Sequence, residues 1–135
     1  MGDLLPSLDD VAKVIAKDTD NTIQISGARA LYLLGLTTQV PAQIVYLTDG
    51  RSRDVKIRNT VLKMRHASPK VMAGAGRKVG IILQAIRHLG RDHLDDDMIN
   101  KIRHRLSSDD KQALKQMARY APGWTKPTID RMAAA

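Results

Sequence analysis

Between Arg53 and His66, apolar and charged side chains alternate on either side of the dipeptide Asn59-Thr60. A period of two marks a strand with one wet face, and asparagine favours tight turns, so this stretch is constrained to a hairpin. With a two-residue turn at Asn59-Thr60, Arg58 lies opposite Val61, Lys56 opposite Lys63, and Asp54 opposite Arg65. Val55, Ile57, Leu62 and Met64 then share a face turned to a core. Asp54, Lys56, Arg58, Val61, Lys63 and Arg65 share the other. Gln43 to Thr48 is also rich in β-branched residues and ends in Asp49-Gly50, which extends the hairpin to a three-stranded antiparallel meander.

The same stretch carries the charge. From Arg51 to Lys70 there are seven basic residues and one acid, Asp54, so this segment holds +6 of the net +8. Lys56 facing Lys63 sets like charges across a strand pair, which costs stability unless an anion bridges them. Arg51, Arg53, Lys56, Arg58, Lys63 and Arg65 are therefore the candidate residues for an anionic partner, either nucleic acid or an acidic protein surface. No aromatic is interleaved with them, which argues against recognition by base stacking.

Helical spacing appears on both sides of this hairpin. Ser7 opens a helix over 8–18 with Val11, Ala12, Ile15 and Ala16 inward. Thr22 to Ile25 is a short strand, and Ser26 opens a second helix that is nearly all apolar through Leu34 and so is expected to be deeply buried. Past Ser68-Pro69, a helix from about Arg77 to Leu89 shows the stripe Val79, Ile82, Leu83, Ile86 and Leu89. Asp95 to Asp97 open another, Ser107 to Asp110 a third, and Trp124 to Met132 form the last. Leu, Ile and Val make up 33 of the 135 residues and Phe is absent, so the core is aliphatic. Residues 1–135 read as one α+β domain, a small antiparallel β-meander packed against a mainly helical body.

Composition removes much chemistry. There is no Cys, hence no disulfide, thiolate zinc site or cysteine nucleophile. All 14 acids are Asp, which excludes the HExxH motif and any glutamate base. Asp95 to Asp97 are better read as first-turn acids than as a metal site. Gly74-Ala75-Gly76-Arg77-Lys78-Val79-Gly80 is one residue off GxGxxG and lacks a parallel β-α-β setting, so a nucleotide site is not expected. His66, His88, His93 and His104 have no ligand spacing. Asp49 with Asp54-Val55-Lys56 is a thin echo of a metal-dependent nuclease. No catalytic residue, cofactor or metal is expected. The start Met1 to Pro6 has no basic leader and no apolar run spans a bilayer, which implies a cytoplasmic protein that does not meet a membrane.

Several strings taken together resemble the AbiE-type antitoxin family. They are Gly2-Asp3-Leu4-Leu5-Pro6-Ser7-Leu8-Asp9-Asp10, Ser26-Gly27-Ala28-Arg29-Ala30, Leu34-Gly35-Leu36-Thr37-Thr38-Gln39-Val40-Pro41-Ala42, Val45-Tyr46-Leu47-Thr48-Asp49-Gly50, Lys63-Met64-Arg65-His66-Ala67-Ser68-Pro69, Gln84-Ala85-Ile86-Arg87-His88-Leu89-Gly90 and Tyr120-Ala121-Pro122-Gly123-Trp124. The resemblance implies the antitoxin half of a type IV toxin–antitoxin pair, used by bacteria in abortive infection against phage. Its partner would be a nucleotidyltransferase toxin. It begins at residue 2, so the winged helix-turn-helix that precedes this domain in longer members is not expected here. Arg58 stands where the resemblance would place glycine, and no catalytic residue comes with it. The other functional classes are a nucleic-acid-binding transcriptional regulator and a metal-dependent nuclease.

Overall fold

The computed structural model describes residues 7–134. Residues 1–6, with which the resemblance starts and on which the reading of a leaderless start rests, lie outside the described residues. Short polar side chains start most of the helices. Ser7 Oγ accepts from the Asp10 N–H at 3.1 Å and opens α1, Leu8–Asp18. Ser26 does the same for α2, Gly27–Leu33, and Asp95 for α5, Asp96–His104. Ser107 and Asp110 close a reciprocal capping box on α6, Ser108–Met117, satisfying two otherwise orphaned donors. A helix not anticipated, α3 at Pro69–Met72, follows Ser68. The longest, α4, runs Lys78–Leu89, and α7 spans Lys126–Met132.

The strands are β1 Ile23–Ile25, β2 Ile44–Thr48, β3 Arg53–Ile57 and β4 Thr60–His66, in the order β1-β2-β4-β3. The α+β class holds, but the meander does not. β2 lies beside β4 and parallel to it, with Tyr46 level with Met64, while β3 is displaced to the edge. Side-chain character explains the exchange. Leu62 and Met64 are fully or almost fully buried, so β4 takes a position flanked on both sides. Arg53, Asp54 and Lys56 tolerate an edge, where charged side chains also discourage pairing with other chains. Residues 49–52 pass over the end of β4, where His66 N–H donates to Ser52 Oγ and His66 Nδ1 meets the Gly50 carbonyl, each at 2.8 Å.

The hairpin register is also corrected. The turn is Arg58-Asn59 and not Asn59-Thr60, so Thr60 joins the strand opposite Ile57. This suits a β-branched residue, and it moves every pair by two positions. Lys56 therefore faces Val61, and Lys63 faces Asp54. The Lys56–Lys63 repulsion is absent. A shift of two keeps each side chain on its face, so Val55, Ile57, Leu62 and Met64 point inward as expected. Arg58 leaves the outer face for the turn, where it adopts a left-handed φ of 56°.

Two apolar clusters hold these layers. α1 covers one side of the sheet with Ala12, Val11 and Ile15 against Tyr46, Leu62 and Met64. On the far side, α4 packs beside β1, then against α2 and α6 through Val79, Ile82, Leu83 and Ile86. Ile129 and Met132 of α7, both wholly buried, complete this second cluster. α2 is less buried than its composition implies. It meets α4 so closely that a Cβ at Gly27 would come within 2.4 Å of His88 Cβ, but only on one side. Tyr32 and Leu33 face away and are 41% and 46% exposed.

Candidate functional site

Among the described residues, α4 packs beside β1, and the outer side of β2-β4-β3 carries the exposed Val61 and Lys56. In register, Val45 and Lys63 are neighbours, as are Leu47 and Arg65, and Lys63 and Asp54. Lys56 and the exposed Val61 complete the group. Three of the six candidate residues, Lys56, Lys63 and Arg65, are thus brought onto one surface. The other three are not. Arg53 shares the opposite side with Met64, Arg51 lies in the connection before β3, and Arg58 sits at the hairpin tip.

One carboxylate is set among these cations. Arg65 Nη1 lies 2.6 Å from Asp54 Oδ1, and this hydrogen bond, with Lys63 nearby, holds the Asp54 carboxyl below the usual carboxylate range. The pair is exposed and contributes little to stability. Lys56 and Lys63 make no ion pair among the described residues, so the face carries three cations against one anion. Apolar Val45, Leu47 and Val61 fill the spaces between them, and the face presents no aromatic ring.

The remaining motifs resolve into structural parts. Asp49 Oδ1 accepts from Thr22 N–H at 2.8 Å, tying the connection to the start of β1. Asp95 is a cap and Asp96 pairs with Arg131 at 2.8 Å. Gly74 and Gly80 belong to a close contact between the loop and the first turn of α4, where a Cβ at Gly80 would fall 2.2 Å from the Gly74 carbonyl oxygen. Among the described residues, no three metal-ligating side chains come together.

A second arrangement was invisible in the sequence. Arg29 from the start of α2 grips Asp9 from the start of α1, with Nη1–Oδ1 at 2.5 Å and Nη2–Oδ2 at 2.8 Å. The Tyr46 hydroxyl donates to Asp9 and accepts from Arg29. The Arg29 hydrogen bond lowers the Asp9 pKa despite the opposing effect of partial burial, and Asp9 in turn raises that of Arg29. Twenty positions separate the two residues, and no local pattern links them. Asp9 and Arg29 border a cavity of about 290 Å³ walled also by Tyr32, Leu33, Val40, Pro41, Ile44 and Val45.

The fold and the site define an α+β chain with a basic, aromatic-free sheet face. It belongs to DUF6088, a family of unknown function, whose model matches residues 1–114. The match ends within α6, so α7 and its buried Ile129 and Met132 lie beyond it. No curated protein and no solved structure matches the chain. No helix among the described residues is long and apolar enough to cross a membrane.

Proposed function

We propose that the protein is a non-enzymatic antitoxin of the AbiE type that opposes a nucleotidyltransferase toxin, with the outer sheet face as the surface that meets its anionic partner. The observation that carries this reading is the placement of Lys56 and Lys63 on an open face without ionic partners among the described residues. Exposed cations without a salt bridge recruit anionic partners and steer their approach. The resemblance of the chain to that family supplies the class of partner, and a cytoplasmic location goes with it.

The test is co-expression with the product of the neighbouring gene, which this reading expects to be a nucleotidyltransferase. Wild type should restore growth, and Lys56→Glu combined with Lys63→Glu should not, while its melting temperature falls only by the modest cost of a second carboxylate opposite Asp54. Failure of the wild type to rescue would overturn the function, and full rescue by the double variant would overturn the site. A regulator that binds nucleic acid would instead show affinity for duplex DNA falling steeply with salt, with a slope reduced by about 2 units of log K per log salt in the double variant.

A further inference from the structure

An acid stands in the middle of the basic face. Asp54 lies across the strand pair from Lys63, and its carboxylate accepts a hydrogen bond from Arg65. Lys56 follows two residues along β3 on the same side, about 6.6 Å away. Asp54, Lys56 and Val61 are exposed, while Val45, Leu47, Lys63 and Arg65 are half-buried. The exposed Asp54–Arg65 pair adds little to stability, so stability alone does not account for the acid. A ligand made only of phosphates is repelled by it. A ligand that carries hydroxyl donors beside its phosphates uses the whole face.

The forms of nucleic acid differ in what they ask of such a surface. Single strands are gripped by stacking on aromatic rings, and the face presents none. B-form DNA is read by a helix or a two-stranded ribbon inserted in its major groove. Here Lys63 and Arg65 sit level with Val45 and Leu47, inside the three-stranded part of the sheet. Neither is carried on a projecting helix or an isolated ribbon. An RNA duplex has a wide, shallow minor groove that displays 2′-hydroxyls, and proteins recognise it through 2′-hydroxyl and phosphate contacts.

The residues divide to match. Three cations are available for phosphates on either side of the groove. The Arg65 hydrogen bond keeps Asp54 ionised, which makes it an acceptor only. Val45, Leu47 and Val61 offer apolar contact to sugar carbons.

We propose that the outer sheet face binds double-stranded RNA across its minor groove, with Lys56, Lys63 and Arg65 on phosphates and Asp54 accepting a hydrogen bond from a ribose 2′-hydroxyl. This rests on the reading of that face as the surface for an anionic partner, and it narrows the partner to an RNA duplex of any sequence.

Binding of the purified protein to a duplex of about 16 base pairs tests this. One sequence is made as RNA, as DNA and as 2′-O-methyl RNA, which keeps the ribose oxygen but has no hydrogen on it to donate. RNA should bind roughly tenfold tighter than the other two, the worth of one charge-assisted hydrogen bond. Asp54→Ala should bring the three affinities together, chiefly by tightening DNA and 2′-O-methyl RNA as the repelling charge is lost. Asp54→Asn keeps an acceptor oxygen and should retain part of the preference. Lys63→Ala should weaken all three and reduce the slope of log K against log salt by about 1. Equal wild-type affinity for RNA and 2′-O-methyl RNA would overturn the inference, as would an RNA preference untouched by Asp54→Ala. Tighter binding of DNA, or binding of none of the three, would overturn it too. The antitoxin reading stands apart from these outcomes, because it fails only when the wild type does not restore growth.

Discussion

Asp9 and Arg29 show how a contact that decides local geometry leaves no trace in local sequence. Each stands near the start of a helix, where an acid suits the dipole of α1 but Arg29 does not suit that of α2. Their bidentate pairing supplies the missing reason for Arg29. The Asp9 pKa is lowered in the folded state, so its contribution is complete above the unfolded carboxylate value of about 4 and disappears as pH falls through the lower, folded value. Asp9→Asn should therefore be destabilised relative to wild type at pH 7, and the gap in urea midpoint should narrow below about pH 4. With side-chain exposures of 38% and 29% for Asp9 and Arg29, solvent screening keeps the effect modest. A gap of the same size at pH 7 and at about pH 2.5 would contradict this. Asp54 is lowered by Arg65 in the same way but is exposed, so it should contribute far less. Of the six basic candidates, alternation identifies the shared face of Lys56, Lys63 and Arg65, yet not their partners. Which cation meets which acid depends on the two residues that form the turn, and Arg58 takes its left-handed place there against the usual preference of a side-chain-bearing residue.

Elements were more readable than contacts. The stripe Val79, Ile82, Leu83 and Ile86 is buried as its spacing implies, and Ser7, Ser26 and Ser107 all cap the helices they precede. Alternation along β3 and β4 placed every inward side chain correctly even though the register was off by two, because a period of two encodes faces and not partners. Composition misled at α2, where a nearly all-apolar run has a covering neighbour on one side only. The small-residue run before α4 packs tightly against the first turn of that helix. This has a testable sign. Alanine for glycine within a helix ordinarily gains about 1 kcal/mol. At Gly80 the added methyl would meet the Gly74 backbone, with its carbonyl oxygen at 2.2 Å and carbon at 2.6 Å. Gly80→Ala should therefore destabilise the protein, by about 1–3 kcal/mol, as overpacking usually does. A raised urea midpoint would show that the loop moves aside at no cost.

At the scale of the whole molecule, the alternation of helical and strand periods was enough to give the α+β class, while strand order was out of reach. Alternation does not say which strand lies beside which, and the consecutive strands β2 and β3 are not neighbours. The sheet instead inserts β4 between them, and a physical length sets the limit on that choice. From Thr48 to Arg53 the chain must cross two gaps of about 4.8 Å and recede by two residues of about 3.3 Å, a span near 12 Å. Five Cα steps reach about 17 Å when fully extended, whereas three reach only about 10–11 Å. Deleting any two of residues 49–52 should therefore make this sheet impossible to close, visible as loss of amide-exchange protection in β3 and β4, while a two-residue insertion should be tolerated. Protection unchanged by the deletion would mean that the chain takes another path. The connection acts as a tether with only a few ångströms of slack, and the neighbours that β4 keeps depend on how far those residues can reach.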